Sequence, residues 1–185
     1  MRVIAGEKRG MRLYEPGDER IRPTTDKIKG AIFNTIQMRL DGESIFVDLF
    51  GGSGAMGIEA LSRGAREAWF FDVDTESIRL IEKNVEKAGF GNRARIGRMS
   101  AKAGIDRLAQ GGVSCDFVFM DPPYVKGEES IALIEAMANK KILKSEGIIM
   151  MEHEKSVIMP LTICNFVKTK EKKYGNTVIS YYGEE

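Results

Sequence analysis

A glycine-rich segment followed by an acidic residue is the first part of this sequence that could bind a ligand. Gly52, Gly54 and Gly57 satisfy the pattern G-x-G-x-x-G after an apolar run, and Asp72 lies 20 residues beyond Gly52. Glycine allows close approach of the backbone, a following helix supplies free N–H groups, and the acid can accept from ribose hydroxyls. The spacing predicts a nucleotide-like cofactor, and it leaves NAD, FAD and S-adenosylmethionine open.

A second set of polar groups follows a strongly apolar run, in the sequence Asp121-Pro122-Pro123-Tyr124. Two consecutive prolines lack N–H donors and stiffen the loop, so the carbonyls of Asp121 and Pro122 can act as fixed acceptors beside the carboxylate. Acceptors without donors suit an exocyclic amino group, whose two hydrogens both need partners, and Tyr124 offers a face for stacking a base. These four residues favour chemistry on an amino group over hydride transfer.

Both segments follow predicted strands of an α/β domain, in which apolar runs alternate with helical stretches from residue 44 onward. We expect a mostly parallel, seven-stranded sheet that ends in an antiparallel C-terminal hairpin, with ligands at the carboxyl ends of its parallel strands. The strands are expected at residues 45–49, 68–71, 94–96, 117–120, 148–151, 162–169 and 177–182. An amphipathic helix before the first strand is expected to begin after Thr24-Thr25-Asp26 and to end near Asp41-Gly42.

The N-terminal segment has a different composition from the rest of the chain. Short apolar pieces separated by glycine and proline predict a small basic β-hairpin or arm over residues 1–24, followed by the α/β domain over residues 25–185. Residues 1–30 hold eight basic and five acidic residues, a net charge of +3, whereas the whole chain has +1. This concentration of positive charge predicts a nucleic-acid contact at the arm.

Composition excludes several other classes of protein. The 185 residues, 43% of them hydrophobic and 30% charged, suit one globular domain and exclude a disordered tail, a collagen or a coiled coil. Two cysteines without metal-type spacing predict reduced thiols rather than a disulfide framework or a metal site. Without a long apolar run or a signal-peptide pattern, we expect a cytoplasmic protein with no membrane partner.

Several motifs, in order along essentially the whole chain, resemble one family. D-P-P-Y is similar to the catalytic motif of S-adenosylmethionine-dependent methyltransferases that act on amino groups. The remaining motifs resemble the bacterial RsmD-type 16S ribosomal RNA guanine-N2 methyltransferases. These motifs are Arg2-Val3-Ile4-Ala5-Gly6, Gly10-Met11-Arg12-Leu13, Arg22-Pro23-Thr24-Thr25-Asp26, Ile32-Phe33-Asn34, the run from Asp48 through Ala65, Glu152-His153 and Lys173-Tyr174-Gly175-Asn176-Thr177.

The resemblance implies a Rossmann-like class I methyltransferase fold and methylation of the exocyclic N2 amine of a guanine in 16S ribosomal RNA. It implies S-adenosyl-L-methionine as the cofactor and ribosomal RNA or the assembling small ribosomal subunit as the partner. We expect a monomer, and no metal is needed. The domain over residues 25–185 would be the class I methyltransferase domain, and residues 1–24 its RNA-facing arm.

Site residues follow from the motifs and the resemblance together. The expected catalytic residues are Asp121, Pro122, Pro123 and Tyr124. The expected cofactor-binding residues are Asp48, Phe50, Gly51, Gly52, Ser53, Gly54, Ala55, Asp72, Val73, Ser100, Ala101 and Asp121. The expected substrate-binding residues are Arg2, Lys8, Arg9, Arg12, Arg22 and Thr24.

The chain departs from the family pattern at four positions. Lys29 and Gly30 stand where an arginine and an acidic residue are common, and lysine is the poorer bidentate partner for phosphate. Ser100 stands where an aspartate would accept from the adenine amino group, so only an uncharged hydrogen bond is available. Asp72 replaces the commoner glutamate and has a shorter reach with the same chemistry.

Alternative functions remain at this point. An amino-methyltransferase acting on another RNA, on DNA adenine or on a protein glutamine would use the same fold and cofactor. An NAD-dependent oxidoreductase could use the glycine-rich loop, and a non-catalytic RNA-binding protein could retain the fold. His153, the only histidine, is interpreted as structural, and the lysines of the C-terminal hairpin as either phosphate-binding or simply solvated.

Overall fold

The computed structural model describes residues 1–15, 25–122 and 127–184. It divides into two compact units, Met1–Ser100 and Ala101–Glu185. The predicted residues Arg22, Thr24, Pro123 and Tyr124 lie outside the described residues, so their roles stay predictions.

The first unit contains the N-terminal segment and three parallel strands. Its elements are α1 (Asp26–Ile36), β1 (Ile45–Asp48), α2 (Ala55–Ser62), β2 (Glu67–Asp72), α3 (Thr75–Ala88) and β3 (Ala94–Arg98). The strand order is β3-β2-β1, with Asp48 opposite Phe70 and Asp72 opposite Arg98. The carboxyl ends of the three strands therefore lie side by side.

The second unit contains the remaining strands. Its elements are α4 (Ala101–Gln110), β4 (Cys115–Met120), α5 (Gly127–Lys140), β5 (Leu143–Glu154), β6 (Thr162–Ile163), β7 (Phe166–Tyr174) and β8 (Thr177–Glu184). β4 and β5 are parallel, whereas β8, β7 and β6 continue the order in antiparallel pairs. The predicted α/β order, with parallel strands followed by an antiparallel C-terminal hairpin, is confirmed.

Local sequence explains these elements. All four residues of β1 and the last four of β4 are buried, as expected for parallel strands covered on both faces. The Thr25 hydroxyl accepts from the Ile28 N–H at 3.3 Å and begins α1, and the Asp74 carboxylate accepts from the Ser77 N–H at 2.8 Å and begins α3.

Two predicted boundaries are wrong. Helix α1 ends at Ile36 rather than near Asp41, because the N–H groups of Arg39 and Leu40 both donate to the Ile36 carbonyl in a turn that buries Leu40. The predicted strand at residues 162–169 is divided into β6 and the start of β7, so the described residues form eight strands instead of seven. Cys164, with φ of 53°, lies at the turn between them.

Candidate active site

The carboxyl ends of β1, β2 and β3 bring several of the predicted cofactor-binding residues together. Asp48 is the last residue of β1 and is buried, Asp72 is the last residue of β2, and Ser100 follows β3 by two positions. Ala101, also expected in this set, is the first residue of α4 in the second unit. Within the first unit, Asp48, Asp72 and Ser100 lie near one another because the ends of neighbouring parallel strands share one edge, and their role in cofactor binding stays a prediction.

The glycine-rich loop between β1 and α2 is held to the end of β2 by its own backbone. The Gly51 N–H donates to the Phe71 carbonyl at 2.9 Å, and the Gly52 N–H donates to the Asp72 carboxylate at 2.9 Å. The Gly54 N–H closes the turn by donating to the Gly51 carbonyl at 2.7 Å. The loop and the acid, predicted from their spacing, are thus in direct contact.

Two glycines of the loop are required by its conformation and packing. Gly54 precedes α2 with φ of 78°, a left-handed conformation that side chains disfavour. A Cβ at Gly57 would lie 2.2 Å from the Phe70 ring, so only glycine allows α2 to pack this closely on β2. These are the roles that the motif assigns to such positions.

Asp72 fits a ligand that carries hydroxyl groups. Its Oδ2 accepts from Gly52 and its Oδ1 accepts from the Asp74 N–H at 2.9 Å, which fixes the carboxylate at the strand end. Each carboxylate oxygen has a second lone pair, so the group can still accept from ribose hydroxyls. The neighbouring Val73 is apolar and 66% exposed, a suitable surface for a planar base.

The other expected cofactor residues line the same edge with different exposure. Phe50 and Gly52 are half-buried, Ser53 and Ala55 are buried, and Ser100 is exposed. The chain between β3 and Ser100 is tied to β2, because the Met99 N–H donates to the Asp72 carbonyl at 2.9 Å. Asp72 is therefore fixed through both its side chain and its backbone.

Asp121 and Pro122 belong to the second unit, directly after β4. Asp121 is half-buried and Pro122 is buried. Burial raises the pKa of Asp121 from its ordinary value of 3.8 to about 6. Carboxyl groups with a raised pKa are enriched at functional sites.

The N-terminal segment forms the predicted small hairpin. Arg2 and Arg12 form an antiparallel bridge, and the Val3 N–H donates to the Met11 carbonyl at 2.9 Å. The Gly10 N–H donates to the Val3 carbonyl at 2.9 Å. The apolar side chains of Val3 and Leu13 are buried, so the hairpin is packed against the rest of the first unit.

A buried carboxylate on α2 anchors this hairpin. Glu59 is fully buried and accepts from the Ile4 N–H at 2.8 Å and from the Ala5 N–H at 3.0 Å. Its Oε1 also accepts from Arg63 Nε at 2.7 Å, and Lys29 Nζ lies 3.6 Å from Oε2. One acid thus binds the hairpin backbone and two cations.

Lys29 has a structural role rather than the phosphate contact considered from the family pattern. It is fully buried, and its Nζ donates to the Arg2 carbonyl at 2.5 Å in addition to its pairing with Glu59. Burial lowers the pKa of Lys29, and the Glu59 carboxylate opposes this shift. Because its ammonium group is buried, Lys29 cannot contact a phosphate of an RNA bound at the surface.

The predicted substrate-binding residues of the hairpin differ in their surroundings. Arg2 pairs with Asp26 at 3.0 Å, and Lys8 pairs with Glu7 at 2.8 Å and lies 5.7 Å from the centre of the Phe90 ring. Arg9 and Arg12 have exposed side chains. These last two cations are the best placed of the four to meet a polyanion.

Two structural residues of this region were not found from the sequence. Asn84 is fully buried on α3 and bonds the hairpin and the glycine-rich loop, and Glu59 anchors the hairpin. A signal was available for both. Asn84 falls at helical spacing among the buried positions Ile81, Val85 and Ala88, and Glu59 is the single charged residue of the buried helix α2.

His153 agrees with its structural interpretation. It is buried, its Nδ1 bonds to the Glu154 carbonyl and its Nε2 to the Ser180 hydroxyl, both at 2.9 Å. Burial lowers its pKa below the usual range. Among the described residues there is no acidic, histidine or cysteine cluster suited to a metal ion, and none of the described helices is long and apolar enough to span a membrane.

Comparisons with known proteins agree in their description of this chain. A family model described as conserved hypothetical protein 95 matches residues 1–183. The ribosomal RNA small subunit methyltransferase D of Escherichia coli (strain K12) is 34% identical over 188 residues, which cover 100% of this chain and 90% of that protein.

Solved structures give the same picture. The yhhF protein from Escherichia coli is 32% identical and has a TM-score of 0.85, with coverage of 100% of this chain and 98% of that chain. An RNA methyltransferase from Salinibacter ruber in complex with S-adenosyl-L-homocysteine has a TM-score of 0.66 at 12% identity and covers 86% of this chain and 92% of that chain. At 12% identity, the similarity to the Salinibacter ruber protein shows a shared fold.

Proposed function

Since the chain belongs to the conserved hypothetical protein 95 family of RsmD-type methyltransferases, we propose that it methylates the exocyclic N2 amine of a guanine in 16S ribosomal RNA. Its fold is the predicted Rossmann-like class I methyltransferase fold. The relative's name supports small-subunit ribosomal RNA as the substrate. The amino group as the acceptor rests on one observation, the Asp121-Pro122 sequence at the carboxyl end of β4.

S-adenosyl-L-methionine is the proposed cofactor, and it supplies a methyl group on a positively charged sulfur. The donor and acceptor set at the ends of β1 to β3 fits it: Asp72 for the ribose hydroxyls, Val73 for the base and the glycine-rich loop for close approach of the backbone. Ser100 would bond the adenine amino group through its hydroxyl. Asp48, Phe50, Gly51, Ser53, Gly54, Ala55 and Ala101 complete the proposed set.

Asp121 and Pro122 would activate the amine by accepting its two N–H bonds. The lone pair of a guanine N2 is delocalised into the ring, which makes that nitrogen a poor nucleophile. Acceptance of both hydrogens, at the Asp121 carboxylate and the Pro122 carbonyl, favours a pyramidal nitrogen and frees the lone pair. The rate enhancement then comes from positioning and electrostatics, and Pro123 and Tyr124 would complete the pocket for a base that has left its stack.

The cofactor assignment predicts a specific loss of affinity. Replacement of Asp72 with alanine should weaken binding of S-adenosylhomocysteine by about 1–3 kcal/mol, because a charged acceptor and the support of the Gly52 N–H are lost together. Titration calorimetry measures this change. Glu76→Ala is the matched control, since Glu76 is an exposed acid nearby that pairs with Arg79 on the surface of α3. Equal affinities in both variants would contradict the assignment.

We propose that residues 1–24 form the RNA-facing arm of the protein and that residues 25–185 form its methyltransferase domain. The buried contacts of the hairpin with Glu59 mean that deletion of the arm would expose groups of the first unit. Substitution of exposed side chains is therefore the more informative test, and Arg9 and Arg12 are the residues to change.

Replacement of both Arg9 and Arg12 with alanine should weaken RNA binding and lower its dependence on salt. Each lost phosphate contact reduces the slope of log K against log salt by about one. Filter binding at several salt concentrations measures both effects, and Arg79→Ala controls for loss of an exposed cation elsewhere on the same unit. An unchanged slope in the double variant would show that the hairpin does not contact RNA.

The identity of the substrate is tested by transfer of a labelled methyl group. Ribosomal RNA and small subunits from cells that lack this protein are incubated with the enzyme, and the labelled nucleoside is then identified. We expect N2-methylguanosine in small-subunit RNA, and the comparison of naked RNA with subunits shows which form is used. Methyladenosine, or label in protein, would replace the guanine assignment with one of the alternative amino-group substrates.

A further inference from the structure

Asn84 connects the N-terminal hairpin to the glycine-rich loop through one buried side chain. Its Oδ1 accepts from the Tyr14 N–H at 2.7 Å, and its Nδ2 donates to the Tyr14 carbonyl at 3.1 Å. The same Nδ2 donates to the Ser53 carbonyl at 2.9 Å. The amide therefore bonds both backbone groups of one hairpin residue and one backbone group of the loop.

A second contact joins the same two segments. The Ser53 hydroxyl lies 3.4 Å from the Met1 sulfur, and the Leu13 N–H donates to the Met1 carbonyl at 3.2 Å. Both ends of the hairpin, at Met1 and at residues 13–14, thus lie beside the loop. A displacement of the hairpin would change the surroundings of Ser53.

The surroundings of Asn84 make its bonds difficult to replace. The side chain is 0% exposed, so an unpaired amide or carbonyl there would be without water. A buried polar group that loses its partner is destabilised by the full cost of its desolvation. The hairpin and the loop are therefore favoured in one mutual arrangement, in which all three hydrogen bonds of Asn84 are made together.

We propose that Asn84 is a positioning residue that couples RNA contact at the hairpin to cofactor binding at the glycine-rich loop. This inference rests on the proposed function, which assigns RNA to the hairpin and S-adenosylmethionine to the loop. Ordering of the loop by the cofactor favours the arrangement that also orders Tyr14. Because such coupling is reciprocal, RNA bound at the hairpin strengthens cofactor binding by the same factor.

The coupling is measured by hydrogen exchange of the hairpin with S-adenosylhomocysteine as the probe. Val3, Gly10, Leu13 and Tyr14 have hydrogen-bonded amides that report on the hairpin. In the unsubstituted protein, saturation with S-adenosylhomocysteine should slow exchange in residues 1–15, on the order of tenfold. The Gly10 amide donates to the Val3 carbonyl within the hairpin rather than to the loop, so slower exchange there reports on the hairpin itself.

Two variants of Asn84 separate coupling from simple support of the fold. Asn84→Asp keeps the size of the side chain and an acceptor for the Tyr14 N–H, but it cannot donate to the Tyr14 and Ser53 carbonyls. Asn84→Ala removes all three bonds. Lys83→Ala is the matched control, because Lys83 is exposed on the same helix. Thermal unfolding of each variant, followed by circular dichroism, shows whether it is folded at the temperature of the exchange experiment.

In folded Asn84→Asp, we expect S-adenosylhomocysteine still to bind, with about tenfold lower affinity by calorimetry, and no longer to slow exchange in residues 1–15. The Lys83→Ala protein should respond like the unsubstituted one. If the ligand binds the unsubstituted protein and leaves hairpin exchange unchanged, the coupling is wrong while the cofactor assignment stands. If calorimetry finds no binding to the unsubstituted protein, the proposed function fails and the coupling fails with it.

Discussion

Replacement of Asp121 with asparagine should lower methyl transfer to RNA by at least about a hundredfold and leave the affinity for S-adenosylhomocysteine within a few-fold. The loss is large because the carboxylate is proposed to act on the reacting amine, where a preorganised acceptor contributes most in the transition state. Asparagine has nearly the same shape and retains one acceptor oxygen, so the variant tests the charge. Single-turnover kinetics with saturating cofactor measure the effect.

The raised pKa of Asp121 adds a second expectation, on pH. Burial raises this pKa to about 6, so a growing fraction of the enzyme is protonated below pH 6 and cannot accept from the amine. Turnover should therefore fall about tenfold for each pH unit below 6. A profile that is flat between pH 5 and pH 7 would contradict the role of the carboxylate.

The same pKa predicts that activity and stability change in opposite directions as the pH rises. Because the pKa of Asp121 is higher in the folded chain than its ordinary 3.8, its contribution to stability is fully present below pH 3.8 and is lost as the pH rises through about 6. At pH 8 the ionised carboxylate destabilises the fold by up to about 3 kcal/mol. Asp121→Asn should thus raise the free energy of unfolding, and more at pH 8 than at pH 5.

Asp116, on the same strand, provides the control for the Asp121→Asn variant. Asp116 lies near the start of β4 and pairs with Lys144 at 2.9 Å on the surface. Asp116→Asn should keep near-normal turnover and change the free energy of unfolding by less than about 1 kcal/mol at either pH. Near-normal turnover in the Asp121 variant as well would mean that another group accepts from the amine.

The parts of the fold that sequence predicted are those determined by local pattern. Apolar runs such as residues 117–120 identify strands buried on both faces, and glycine with an acid 20 residues later identifies the turn between β1 and α2. Both signals depend on residues close together in the chain. The end of α1 was misplaced because the turn at Arg39 and Leu40 is stabilised by burial of Leu40, which local pattern does not show.

Contacts between segments that are distant in the chain could not be predicted from local sequence pattern. Tyr14 and Asn84 are 70 positions apart, and Ile4 and Glu59 are 55 positions apart. Nothing near Lys29 in the sequence indicates that its ammonium is buried beside the Arg2 carbonyl. The hairpin was therefore predicted as a basic arm, whereas its apolar side chains and its backbone also pack on the first unit.

Replacement of Glu59 with alanine should lower the free energy of unfolding by about 3–5 kcal/mol, the largest effect on stability that we expect from one substitution. The change leaves the Ile4 and Ala5 N–H groups without their acceptor and two cations, Lys29 and Arg63, without their shared acid. Urea unfolding measures the loss. Glu43→Ala is the control, because Glu43 pairs with Arg66 at 3.4 Å on the surface and should contribute less than about 1 kcal/mol.

The destabilisation should depend on pH in a direction set by Lys29. Burial lowers the pKa of Lys29 and the Glu59 carboxylate opposes that shift, so removal of the carboxylate lowers the pKa further. A lysine with a lowered pKa in the folded chain destabilises it increasingly as the pH falls, because protonation of the buried amine then opposes folding. The loss in Glu59→Ala should therefore be greater at neutral pH than at a pH above 10.5, the ordinary pKa of lysine, and Lys29→Met in the Glu59→Ala background should recover part of it. An equal loss at both pH values, with no recovery, would mean that Glu59 acts on the hairpin N–H groups alone.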